Sequence, residues 1–244
     1  MSDLLRARLL ETYRSNQGAL ASPALYDDPR ASWPHLEENY AHLVADAPRD
    51  SRVLELGGGP GQLLAWLRFK GFTDLTGVDA SRGDVAHANA ILGDGVVIED
   101  DGFAYASRHR GKYDIVVMKA LLEHVPKDAL LTSLEAAAGA VSPKGRLIVE
   151  VPNMDWLLAQ HERYLDLTHE VGFTRQSLTS LLTLCFGHVE VTLSRIANPT
   201  RSQRLARPLL VKVVRQLLYI LGEGADDIAF ASRSLIAVCR EPRS

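Results

Sequence analysis

Val53-Leu54-Glu55-Leu56-Gly57-Gly58-Gly59-Pro60-Gly61 is an apolar run with an acid near its end that passes directly into a glycine-dense turn. A short apolar run closed by a turn reads as a buried strand. Glycines at alternate positions, Gly57, Gly59 and Gly61, let the backbone bend sharply and approach a ligand with no Cβ in between. Residues 62–70 then carry a helical pattern that ends at Gly71, so a helix N-terminus points at whatever the turn holds. The stretch therefore reads as a nucleotide-binding βα turn. Dinucleotide sites need G-x-G-x-x-G, and counting from Gly57 the last position is Gln62, so that spacing fails. The tighter E-x-G-x-G-x-G of Glu55, Gly57, Gly59 and Gly61 fits, with Gly58 inside it.

Outward from this turn, strand and helix signals alternate, which predicts a mostly parallel sheet with helices on both faces. After the first strand (52–56), a second (75–78) ends at Asp79, where an acid can accept hydrogen bonds from both hydroxyls of a ribose. Ser81 is available to cap the next helix (83–92), which leaves Asp79 for a ligand. A third strand (96–99) runs into Asp100-Asp101-Gly102, and a fourth (113–118) runs into Lys119-Ala120-Leu121-Leu122-Glu123-His124-Val125-Pro126. Pro126 opens a helix to about residue 140, Ser142-Pro143-Lys144-Gly145 is expected to turn the chain, and residues 146–151 form a fifth strand.

The glycine pattern resembles motif I of the class I S-adenosylmethionine-dependent methyltransferases, and Leu122-Glu123-His124-Val125-Pro126 resembles the motif IV region of their small-molecule branch, which includes quinone and sugar enzymes. The resemblance implies a doubly wound, seven-stranded Rossmann-like α/β sheet with the last strand antiparallel. It implies S-adenosylmethionine as cofactor, with Glu55 steering the ammonium directly or through water, Asp79 on the ribose, and Asp101 followed by Gly102 at the adenine, Asp100 being the alternate. Lys119, at the end of the fourth strand, joins the cofactor positions. DNA and RNA amino-methyltransferases carry an Asn/Asp-Pro-Pro-aromatic tetrapeptide where this chain has Lys119-Ala120-Leu121-Leu122, and the paired-glutamate loop of protein arginine methyltransferases is not apparent. A small or lipid-linked acceptor is expected.

The segment 152–187 is read as a cap over the acceptor, because Asn153, Trp156, His161, Tyr164, Asp166 and His169 make it polar and aromatic. Its run from Asp166 to Thr174 resembles the stretch before the penultimate helix of bacterial small-molecule methyltransferases, where a histidine faces the substrate cleft. A hydroxyl acceptor profits from a general base, and histidine has the suitable ordinary pKa. His124 and His169 are both candidates, with Asp166 placed to orient His169. Thr174 caps a helix (175–185) that Gly187 ends; strands six (189–193) and seven (235–239) follow.

In the family those last strands form a close hairpin, whereas about 35 residues separate them here. The insert holds an amphipathic stretch, 204–221, with Leu205, Leu209, Val213, Leu217 and Ile220 on one side and Arg204, Arg207, Lys212 and Arg215 opposite. Val211 and Leu218 interrupt its polar side. Three seats are open to it: the sheet, an anionic membrane surface, or a second copy of the chain.

Length and composition agree with one domain: 244 residues, 46% of them apolar, suit a single α/β unit with a helical N-terminal extension (1–50), a core (51–151), the cap, and the last two strands with their insert (188–244). The net charge of −3 makes no demand for nucleic acid. Cys185 and Cys239 lie far apart in apolar runs, which predicts buried thiols, and no metal cluster with recognised spacing appears. Residues 1–14 scatter charges among leucines like an amphipathic helix and unlike a signal peptide, and no apolar run reaches membrane-spanning length, so a cytoplasmic location is expected, with peripheral contact at the inner membrane face left open.

Overall fold

In the computed structural model, which describes residues 8–9, 28–222 and 228–243, the run that opens at Val53 forms the centre of the sheet. β1 (Arg52–Leu56) is buried from Val53 to Leu56 on both faces, as an inner parallel strand must be. It pairs in parallel with β2 (Asp74–Asp79) on one side, Val53 opposite Leu75, and with β4 (Tyr113–Lys119) on the other, Val53 opposite Ile115. With β3 (Val97–Glu99), β5 (Val141–Pro152), β6 (Phe186–Leu193) and β7 (Ser234–Pro242), the strand order is β3-β2-β1-β4-β5-β7-β6, and only β7 runs antiparallel to its neighbours. The order reverses between β1 and β4. Their carboxyl ends therefore flank the crevice in which open α/β sheets hold ligands.

The helices cover both faces. Leu36 and Tyr40 of α1 (Trp33–Tyr40) and Leu63, Leu64, Trp66 and Leu67 of α2 (Gln62–Phe69) share one core with Val85, Ala88 and Leu92 of α3 (Arg82–Leu92). Tyr105 and Ala106 of α4 (Gly102–Arg108), Leu134 and Ala137 of α5 (Leu130–Ala140), and Leu178 and Leu182 of α7 (Arg175–Leu182) fill the other. Cys185 and Cys239 are buried, unpaired thiols in that second core, and burial pushes Cys239 up to about 12. The expected helix over residues 1–14 lies outside the described residues, apart from Arg8 and Leu9.

Three local expectations change. Residues 142–145 do not turn the chain: Val141 still pairs with Tyr113 and Arg146 with Ile115, so the four residues form a bulge inside β5. Proline, serine and glycine chemistry suits a bulge as well as a turn. Gly187 does not end a helix; α7 stops at Leu182, and Gly187 lies within β6. The insert helix α8 (Arg201–Ile220), capped by Thr200 and carrying Pro208 inside it, has no buried residue, so it does not cover the sheet.

Candidate active site

The glycine turn adopts the conformation its composition requires, with φ of +71°, +49° and +79° at Gly57, Gly59 and Gly61. A Cβ at Gly61 would sit 2.9 Å from the Ala88 Cβ, so the α2–α3 packing excludes any side chain there. At Gly59 a Cβ would meet nothing within 4 Å, which shows that the turn opens onto the crevice. Two amides, from Gly57 and Gly58, donate to the Val78 carbonyl and tie the turn to β2.

Asp79 sits in the next position. Its Oδ2 accepts from the Gly59 amide at 2.8 Å and its Oδ1 from the Ser81 amide at 2.7 Å. Ser81 caps α3, accepting from the Asp84 amide. Asp79 is thus relieved of capping, and each of its oxygens keeps acceptor capacity toward the crevice. Burial raises its carboxyl above the ordinary range, and the two amide bonds oppose that rise.

Glu55 lies beneath the turn, 3% exposed, and its Oε2 has no hydrogen-bond partner among the described residues. Burial pushes its carboxyl up to about 8, aided by the Asp79 charge and opposed by Lys119. A buried carboxylate oxygen without a donor is a site for a cation or donor from a ligand. Asp101 is exposed and caps α4, accepting from the Ala104 amide at 2.7 Å, and Asp100 accepts from the Asp101 amide and pairs with Arg108. Both remain at the rim, each with structural work to do, and Gly102 starts α4 against Leu56.

Across the crevice, β4 ends at Lys119 and the chain turns through Ala120 at φ +52°, a left-handed conformation that costs a non-glycine residue about 1 kcal/mol or more. Leu121 then packs against Gly57, where a Cβ would lie 2.9 Å from its Cδ1. The two loops are fitted to each other. Glu123, in the short 3-10 turn Leu122–His124, is 2% exposed with Oε2 unpartnered among the described residues, and burial pushes it up to about 8, with Glu150 and Asp166 adding to the rise. Lys119 acts electrostatically on Glu55, Glu123 and Glu150 together. The orphaned carboxyl oxygens of Glu55 and Glu123 suit a ligand that brings a hydrogen-bond donor or a cation.

Glu150 is held down at about 2 despite burial, because His35 and Tyr40 from α1 bond its carboxylate and Lys119 adds its charge. The Tyr40 hydroxyl donates to it at 2.7 Å. This support lies more than a hundred residues away in sequence, |i−j| being 110, and nothing local signals it.

The cap brings both candidate histidines together. Amides of Glu170 and Val171 donate to the Glu123 carbonyl at 2.8 and 3.1 Å, docking the stretch after α6 (Ala159–Leu165) onto the 3-10 turn. His124 and His169 then face each other with ring centroids 4.8 Å apart. The Thr168 hydroxyl donates to Asp166 Oδ1 at 2.7 Å, and its one proton is thereby used. It must accept from His124 Nδ1, 2.8 Å away. Neutral His124 therefore carries its lone pair on Nε2. His169 Nδ1 lies 3.1 Å from the Glu162 carbonyl, which can only accept, so its lone pair is also on Nε2. Although burial alone would raise Asp166, the Thr168 bonds and the two imidazoles hold it below the ordinary range.

Asp166, the candidate to orient His169, bonds Thr168, which holds His124, and its charge acts on both imidazoles, while His169 Nδ1 lies against the Glu162 carbonyl. Thr168 is the residue the sequence reading missed, although Asp-x-Thr is a recognisable local side-chain-to-backbone turn. Glu123, His124 and His169 also place one ligand atom each within 4.8 Å of one another, a donor set able to hold a divalent cation that no sequence spacing revealed. Asn153 is fully buried, its amide nitrogen donating to the Ala229 and Ser232 carbonyls and its oxygen accepting from the Asp155 amide.

A family model described as a methyltransferase domain matches residues 32–185. Ubiquinone biosynthesis O-methyltransferase from Shewanella halifaxensis is 34% identical over 115 residues, 45% of this chain and 47% of that protein. The protein of the same name from Pectobacterium atrosepticum is 33% identical over 132 residues, 51% and 53% of the two chains. The chain spans about half the length of the curated relatives it matches. A solved SAM-dependent methyltransferase from Archaeoglobus fulgidus superposes with a TM-score of 0.62 at 20% identity, covering 86% and 94% of the two chains. Magnesium protoporphyrin IX methyltransferase from Synechocystis, solved with bound SAM, gives 0.59 at 17% identity and 98% of each chain. These two share the fold. The family match covers the glycine turn, Asp79, the Lys119–His124 loop and the cap histidine in one continuous stretch, and by it the chain belongs to the methyltransferase domain family.

Proposed function

We propose that the chain transfers a methyl group from S-adenosylmethionine to a hydroxyl of a small or lipid-linked acceptor, such as a sugar, an envelope glycan precursor or a secondary metabolite. The observation that carries the donor half is the buried Oε2 of Glu55, without a hydrogen-bond partner among the described residues, under an open glycine turn and beside Asp79. Those groups fit a ligand that bears an ammonium, a sulfonium and a ribose. The donor supplies an electrophilic methyl group on sulfur, and the product S-adenosylhomocysteine is a neutral thioether. Glu55 would hold the ammonium, the backbone of Gly57, Gly58, Gly59 and Gly61 would line the amino acid and ribose, Asp79 would accept from the ribose hydroxyls, Lys119 would line the cofactor crevice, and Asp100 or Asp101 with Gly102 would meet the adenine.

The acceptor half rests on the tautomers. His124 Nε2 takes the hydroxyl proton as the oxygen acquires its new bond to carbon, and Asp166, acting through Thr168, stabilises the imidazolium that results. His169 is the second candidate base. The side chains mainly align the reactants and exclude water, since the leaving group is already activated.

A second reading keeps the donor and takes a quinone-like acceptor. The names of the relatives favour it, with an oxygen rather than a carbon or nitrogen as the methylated atom. Isothermal titration with S-adenosylmethionine tests the donor claim, and no detectable binding would defeat both readings. Incubation with a methyl-13C donor and separate panels of catechols, glycosides and amines, followed by product NMR, identifies the methylated atom. Label found only on carbon or nitrogen would overturn the oxygen assignment.

A further inference from the structure

The helix α8 presents a surface with no counterpart in the crevice chemistry. At 100° per residue, Leu205, Leu209, Val213, Leu217 and Ile220, with Leu210 and Leu221, fall on one broad face. Every one of them is exposed: Leu205 71%, Leu209 65%, Leu217 54%, Ile220 69% and Leu221 76%. A contiguous apolar face of that size marks a binding surface. The half-buried residues of the helix are Arg207, Val211, Val214 and Leu218, which form a single narrow stripe at i, i+4, i+7 and i+11. That stripe is the seat of the helix on the body, and the Arg207 guanidinium donates to the Ala231 carbonyl. Val211 and Leu218, which interrupt the polar side, thus serve the seat. The broad face is turned away from it.

Charge decides what covers that face. Within residues 201–220 there are five basic residues, Arg201, Arg204, Arg207, Lys212 and Arg215, and no acid. All but Arg207 cluster along one flank, between the seat and the apolar face. A second copy would bring two such flanks together and would gain no opposite charge from the helix itself. An anionic bilayer accepts both parts, the apolar face below the headgroups and the basic flank against them.

We propose that α8 is an in-plane anchor for an anionic lipid surface. It is the seat, not the sheet, that the helix shares with the cap: residues 229–233 receive Arg207 from α8 and bond Asp155, Asn153 and Glu162 on the cap side. A docked α8 therefore fixes the cap, which itself exposes Leu157, Leu158, Tyr164 and Leu167, relative to the membrane. Such an anchor would bring the crevice to a surface that holds acceptors with a lipid tail. This consequence rests on the proposed function; the anchoring does not.

Sedimentation of the full chain with phosphatidylcholine vesicles, with and without phosphatidylglycerol, tests the anchor. Partitioning should be confined to the phosphatidylglycerol vesicles, weaken with salt, and fall about fivefold for each basic residue neutralised, so that Arg201→Gln, Arg204→Gln and Lys212→Gln together lower it on the order of 100-fold. Leu209→Asp with Leu217→Asp should abolish it. All five positions are exposed, and unchanged S-adenosylmethionine titration and thermal melting establish that each variant folds. Absent binding, equal binding to both vesicles, or an unaffected triple variant would overturn the proposal. So would a concentration-dependent dimer, seen by analytical ultracentrifugation, that Leu209→Asp dissolves, since a second copy would then own the face.

Discussion

Replacing Glu55 with glutamine keeps the shape of the side chain and removes its charge and its proton. Between about pH 4.3, the ordinary glutamate value, and about 8, the folded, ligand-free protein retains a proton on Glu55 that the unfolded chain has lost. Folding stability therefore falls as pH rises through that window. Glu55→Gln removes this contribution, and the ligand-free variant should be as stable as the native chain at pH 8, or more so. Donor binding shifts the other way. At pH 7, ionising a carboxyl that titrates near 8 costs about 1.4 kcal/mol. A charge-assisted bond to an ammonium returns about 1.5–3 kcal/mol. The native chain should then bind S-adenosylmethionine up to about tenfold more tightly than the variant at pH 7, and its affinity should itself tighten by up to about tenfold between pH 6 and 7. Isothermal titration in two buffers of different ionisation enthalpy reads the proton release directly. A native affinity independent of pH, or a variant that keeps the native pH slope, would refute the pairing of Glu55 with the ammonium.

Asp79→Ala strands the Gly59 and Ser81 amides and the ribose hydroxyls, and should weaken the donor by at least about tenfold. Gly59→Arg should fold at a cost of about 1–2 kcal/mol for its left-handed backbone, since its Cβ meets nothing, yet abolish donor binding by filling the crevice; His169→Ala should reduce turnover with donor affinity nearly intact, and equal donor loss in all three would contradict this division. Thr168→Val should cost His124 its fixed Nδ1–H tautomer, read by imidazole nitrogen NMR without any acceptor, and a ring that stays in that tautomer would remove Thr168 from the relay. Glu150 is ionised far below the ordinary range, so the stability it contributes is present above about pH 4.3 and lost as pH falls toward 2; urea melts of Glu150→Gln should show a deficit at pH 7, on the order of 3 kcal/mol, that vanishes in acid.

The geometry of the glycine turn and Asp79, the proposed donor half of the crevice, was legible because it is local. Glu55 to Gly61 is one strand and one turn, and Ser81, two residues after Asp79, announces that Asp79 need not cap the helix. The acceptor half was legible only as residue types. His124, Asp166 and His169 stand out in sequence, but which of them touch depends on the Glu123 carbonyl receiving the Glu170 and Val171 amides, a contact between backbones that carries no sequence signal. The link from Asp166 through Thr168 to His124 was not legible for that reason. Glu150 could not be read at all, since His35 and Tyr40 reach it from the far end of the chain. For α8 the helical wheel shows the apolar face but not the seat: Val211 and Leu218 interrupt the polar side because the half-buried stripe of the helix runs through them.

The two halves are also built from different material, and this bears on how the chain could change its acceptor. The donor turn is held by backbone: positive-φ glycines, amides on Val78, and an amide on Asp79. Few side chains could alter it without blocking it. The acceptor side is held by side chains and by one docking contact onto the Leu122–His124 turn, whose position depends on the left-handed Ala120. Ala120 sits between the halves, its amide on the Glu150 carbonyl and its neighbour Leu121 against Gly57. Strain stored at that residue is offset by contacts to both sides. On the proposed function, the cap could be rebuilt for a new acceptor as long as the Glu123 carbonyl keeps its two amide donors, while a change at Ala120 would disturb the proposed donor site and base together.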